Sequence, residues 1–115
     1  MANAMNEFIG LFNSFEEIPQ SVVCAHLEYR PYYDDDNKYT LMVDYTPDQL
    51  ASFLKSLDFH YDAGFGMQHL YGYIWLKHGA WYERHEYDGA EGWVRKQTPR
   101  IPDDCYPIGY FEEPS

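Results

Sequence analysis

No stretch of the 115 residues strings together the ~20 apolar side chains that a membrane-crossing helix needs. The first residues lack the basic start and apolar core of a secretory signal, so a cytoplasmic protein is the expectation. Cysteine is scarce. Cys24 and Cys105 stand far apart with no CxxC spacing, which argues against a disulfide framework and predicts two free thiols. Basic side chains are few as well, 8 against 19 acidic ones, for a net charge of −11. Such a chain is repelled by nucleic acid and anionic membrane surfaces and attracted to basic ones. Internal repeats and low-complexity runs are absent.

Aromatic side chains, by contrast, are abundant at 19%. They favour strands and interfaces, where they bury much area at low rotamer cost. The densest stretch is Leu70 to Gly89, LYGYIWLKHGAWYERHEYDG. Leu70, Gly72, Ile74 and Leu76 alternate with Tyr71, Tyr73, Trp75 and Lys77, the period of a strand. A turn at His78-Gly79 predicts a hairpin with Leu76 opposite Trp81 and Tyr73 opposite Arg84. That register gathers Tyr71, Tyr73, Trp75, Tyr82 and Arg84 on one face, and Glu83 and His85 on the other with Leu70 and Ile74.

Around this hairpin the remaining elements read as follows. Met5, Phe8, Ile9, Phe12 and Phe15 mark an amphipathic helix over 5–15, capped by Asn3 or Asn6 and closed before Pro19. Residues 22–31 and 38–45 alternate as a first hairpin, with Leu27 opposite Val43 and Tyr29 opposite Leu41 across an odd-length loop. Thr46, Pro47, Asp48 and Gln49 spell a capping box with proline at the first helical position. They open a helix to about Leu57 that buries Leu50, Phe53, Leu54 and Leu57. The order predicts an α+β domain over 1–100: a mainly antiparallel four-stranded sheet of two hairpins, with two short helices on one face. A proline-punctuated tail over 101–115, partly packed, follows.

Chemistry-bearing motifs are weak. Asp34-Asp35-Asp36-Asn37 lacks the glycine and glutamate of a calcium loop and reads as a hairpin tip. Gly64-Phe65-Gly66 lacks the third glycine of a dinucleotide loop. The five histidines and two cysteines show no zinc spacing, so no metal or cofactor is expected. Glu83 and His85 could form a small acid–base or metal-binding centre, but no nucleophile pattern accompanies them. Glu86, Asp88 and Glu91 read as partners for Arg84, Arg95 or the backbone.

Across Leu57–Pro102 the chain resembles a set of small phage and prophage proteins without assigned activity. The likeness rests on a glycine loop, Gly72-x-Ile74-Trp75, Trp81-x-x-Arg84 and Glu86-Tyr87-Asp88-Gly89. It implies a mobile-element origin and raises the expectation of an inhibitor. The functional expectation is a non-enzymatic, acidic protein-binding module that docks on a basic, nucleic-acid-binding surface such as that of a restriction or CRISPR component. Asp34, Asp35, Asp36 and Asp48, with Asp44, Asp58 and Asp62, would supply the field, and Tyr73, Trp75 and Tyr82 the anchors. The same aromatic face could pair two copies, or stack the bases of a single strand beside Arg84.

Overall fold

The structure, a computed structural model, describes residues 1–31, 37–63 and 67–110. It is α+β, with antiparallel sheets carrying a helical layer. In chain order the elements are β1 (Ala2–Asn3), α1 (Ala4–Ile9), α2 (Glu17–Ser21), β2 (Val22–Tyr29), β3 (Asn37–Leu41), α3 (Pro47–Ser56), β4 (His60–Tyr61), β5 (Leu70–Leu76), β6 (Ala80–Tyr87) and β7 (Ala90–Gln97). The main sheet has five strands in the order β3-β2-β5-β6-β7, and β1 pairs with β4 in a short separate ribbon.

The α3 signals are realised atom by atom. The Gln49 backbone N–H donates to Thr46 Oγ1 at 3.2 Å, and the Thr46 N–H donates to Gln49 Oε1 at 2.8 Å. Leu50, Phe53, Leu54 and Leu57 are buried against Phe8, Ile18, Leu27, Leu41, Tyr61, Leu70 and Ile74. Asn3 caps α1 by accepting from the Asn6 N–H. The expected helix over 5–15 stops at Gly10, and Pro19 lies inside α2 rather than closing a segment. Leu11 and Phe12 still pack on the core from the intervening loop.

Three register expectations are corrected. In the first hairpin Ala25 faces Leu41 and Leu27 faces Tyr39, so Val43 falls outside the sheet and is exposed. The chain leaves β3 early and turns at Asp44, whose φ is +62°. A bulge between Val22 and Cys24 turns Val22 into the core and breaks the alternation that would place Val23 there with Ala25 and Leu27. In the central hairpin a three-residue turn, Lys77–Gly79, replaces the two-residue one, with His78 and Gly79 both at positive φ. Trp75 therefore faces Trp81, and Tyr73 faces Glu83. A slip of one residue exchanges the two faces of β6.

The fifth strand was not expected. β7 runs back along β6 after a tight turn at Asp88-Gly89, where both φ values are positive (52° and 83°). That is the geometry an Asp-Gly pair adopts in a primed hairpin turn. Beyond Gln97, Thr98 is tied to the Gly79 carbonyl, and residues 101–110 are exposed apart from a half-buried Tyr106.

Gly72 sits on β5 opposite Leu27 of β2. Its φ is +144°, and a Cβ there would lie 2.2 Å from the His26 carbonyl oxygen. Only glycine fits.

Candidate functional site

The corrected register divides the central hairpin into a buried ion cluster and an open aromatic face. On the core face, Arg84 has no exposed side-chain surface and Glu91 has 1%. Arg84 Nη2 donates to Glu91 Oε1 at 2.5 Å and to the Tyr61 hydroxyl at 2.7 Å, and Nε donates to the Leu70 carbonyl. Glu91 also accepts from the backbone N–H groups of His69 and Leu70. The Tyr61 hydroxyl donates to Glu7, joining α1 to the cluster. Arg84 Nη1 lies 3.6 Å from Glu7, within ion-pair reach but beyond a hydrogen bond. The guanidinium also packs over the rings of Trp93 (5.1 Å) and Tyr61 (5.7 Å). Burial, aided by the bond to Glu7, pushes the Tyr61 phenol well above its ordinary range.

Arg84 is thus removed from the surface where the sequence placed it, and the expected Tyr73–Arg84 contact does not form. Tyr82 is likewise on the core face, packed edge-on against Phe12 at 6.1 Å beneath the α1–α2 connection. Of the acids expected around a docking site, Asp34, Asp35 and Asp36 lie outside the described residues. Asp48 stands in the first turn of α3, in the helical layer.

What remains of the expected site is the outer sheet face. Tyr71, Tyr73 and Trp75 form a row there, 36–46% exposed. Trp81 and Val94 extend it across β6 and β7, since Trp75 faces Trp81 and Glu83 faces Val94. The Tyr73 and Trp75 rings lie 5.7 Å apart. Tyr73, Trp75, Trp81 and Glu83 line a shallow cleft of about 430 Å³. A two-residue turn would put Trp81 on the opposite face; the three-residue turn brings it here.

Polar side chains fix the rings. Lys96 Nζ lies 2.9 Å from Glu83 Oε1, and the Trp81 indole N–H donates to that same oxygen at 3.3 Å. The Lys96 ammonium holds the Glu83 carboxyl below its usual range. Arg30 pairs with Glu28 and lies 5.3 Å over the Tyr71 ring. His26 bridges Thr40 and Glu28. Burial pushes Glu28 up, but hydrogen bonds from His26 and Arg30 outweigh it and leave the carboxyl below its usual range. Among the described residues, the acids on this face, Glu28 and Glu83, are therefore paired with cations, although the protein as a whole is strongly acidic. Glu83 and His85 share this outer face, not the core face on which an acid–base role was considered.

Among the described residues no group of three or more metal-ligating side chains converges. Cys24, half-buried beside Trp75, and Cys105, exposed in the tail, are free thiols. Among the described residues no helix is long and apolar enough to cross a membrane. No protein-family model, curated protein or solved structure matches the chain.

Proposed function

We propose that the protein is a non-enzymatic docking module that engages a partner protein through the outer sheet face, with Trp75, Tyr73, Tyr71 and Trp81 as anchors. The observation that carries this reading is the exposed aromatic row itself. Large rings left in water on a sheet face are costly, and contiguous exposed apolar area marks an interaction surface. The net charge of −11 favours a partner with a basic surface, because the field of the whole chain steers it in. The pairing of Glu28 and Glu83 then lets the rings desolvate without stranding a carboxylate. The likeness to phage and prophage proteins makes an inhibitor of a host nucleic-acid-handling protein the specific form of the proposal. Its site of action would be the host cytoplasm.

A second reading uses the same rings to stack the bases of single-stranded nucleic acid, favoured by Arg30, Lys38 and Lys96 on this face. Immobilised wild-type protein and a Trp75→Ala/Tyr73→Ala variant, exposed to host lysate at low and high salt, separate the readings. Capture of a basic protein by the wild type alone, weakened by salt, supports docking. A gel shift with single-stranded DNA or RNA that the variant loses supports the second reading. Equal capture by both proteins contradicts docking, and the absence of a shift at low salt contradicts the second reading.

A further inference from the structure

The main sheet has two edges. β3 is short, and α3 lies against it. β7 is eight residues long, without a bulge in its pairing to β6. Its outward groups can be assigned from one bond. The Glu91 N–H points away from β6 and donates to the Ala63 carbonyl at 2.8 Å. Backbone direction alternates along a strand, so Trp93, Arg95 and Gln97 also present their N–H and C=O groups outward. These groups have no backbone partner among the described residues. Outward strand groups of this kind template another strand.

Side chains beside the edge state what that strand should carry. On the outer face are Gly92, where nothing lies within 4 Å of the Cβ position, and the exposed Val94. On the core face are Arg95, whose one side-chain bond among the described residues is to Gln97, and a groove of about 870 Å³. Arg95, Gln97, Lys77 and His78 line its strand side, and Glu16 and Glu17 form the opposite wall. Lys77 and Arg95 have no carboxylate partner among the described residues, in a chain with few cations. Cross-strand pairing rewards opposite charges and apolar neighbours directly across.

We infer that β7 is a docking edge for an extended partner segment that alternates acidic and apolar side chains. The apolar set lies over Gly92 and Val94, and the carboxylates lie against Arg95 and Lys77. The edge adjoins the aromatic face at Val94, but pairing along it does not require Trp75. Recognition combines main-chain bonds at Trp93, Arg95 and Gln97 with one charge-selective row.

The probe is a synthetic peptide, acetyl-(Glu-Val)4-amide, with acetyl-(Lys-Val)4-amide as its counterpart, read by amide hydrogen exchange on the full chain. The glutamate peptide is expected to slow exchange at Trp93, Arg95 and Gln97, and the lysine peptide is not. Arg95→Glu is expected to weaken the effect at least tenfold. Arg95→Pro removes an outward N–H that the β6 ladder does not use, so it is expected to abolish the effect with the fold intact. If the proline variant fails to fold, Arg95→Glu alone carries the test. Trp75→Ala is expected to leave peptide binding unchanged, which separates this edge from the aromatic face. Several results overturn the inference: no slowing by the glutamate peptide, equal slowing by both peptides, or binding unaltered by Arg95→Glu. Protection that appears without peptide as the protein dimerises also overturns it, because β7 of a second copy is then the occupant.

Discussion

Arg84 and Glu91 meet at 2.5 Å on adjacent strands, both shut away from solvent. The pair joins β6 to β7, and through Tyr61 and Glu7 it reaches β4 and α1. Breaking such a pair from one side strands a buried charge, which costs about 3–5 kcal/mol. Arg84→Met and Glu91→Gln are each expected to lower the unfolding free energy by that order. The double variant should cost much less than the sum. Denaturant melts of the four proteins form the cycle, and additive costs would mean that the two residues act independently.

Gly72 is expected to tolerate no side chain. An added Cβ meets the β2 backbone at 2.2 Å, and backbone cannot step aside as a side chain can. Gly72→Ala should cost about 3 kcal/mol, through strain at φ +144° together with separation of β2 from β5. A thermal melt within a degree or two of wild type would contradict the close approach.

Tyr61 gives the stability a defined alkaline limb. Its folded phenol titrates above the unfolded value, so the unfolded chain releases that proton first. Below pH about 10 the group does not make stability depend on pH, and stability then falls as pH rises through that value toward the folded one. Tyr61→Phe should remove this part of the slope while lowering stability at neutral pH, since Arg84 and Glu7 each lose a partner. Urea midpoints from pH 8 to 11 check both effects. An unchanged alkaline slope in the phenylalanine variant contradicts the assignment.

Glu83 works in the opposite direction. Lys96 lowers its folded pKa, so the stabilisation is present above the ordinary glutamate value of about 4.3 and is lost as pH falls through the depressed one. Because Glu83 also accepts from the Trp81 indole, its protonation should release that ring. A shift in tryptophan emission is expected on acidification, and it should move to higher pH in Lys96→Met. An emission curve that Lys96→Met leaves in place would show that the ion pair does not tune the ring.

The α3 helix was legible because its signals are local: Thr46, Pro47 and Gln49 act within one turn. The β5–β6 register was not. Trp81 and Tyr82 are both aromatic, so either face of β6 can be read as apolar, and the pattern does not penalise a one-residue slip. Only the turn decides it, and a three-residue turn is as open to His78-Gly79 as a two-residue one. Glu91 reads as a partner for Arg84, Arg95 or the backbone and does pair with Arg84, but the pairing is buried because Glu91 stands on a strand that the alternation pattern did not reveal. The signal for that strand was present in Asp88-Gly89. Tyr71, Tyr73 and Trp75 were placed together correctly, since their grouping follows from alternation within a single strand. Tyr82 and Arg84 were misplaced, since their grouping needed the register between two.

The most direct test of docking on the outer face is hydroxyl-radical footprinting of the protein alone and with its captured partner. Labelling at Tyr73 and Trp75 is expected to fall severalfold on binding. The exposed Phe15 and Tyr110, which lie outside the sheet, serve as references and should label as before. Unchanged labelling at Tyr73 and Trp75, with protection elsewhere on the molecule, would place the partner on another surface and contradict the proposal.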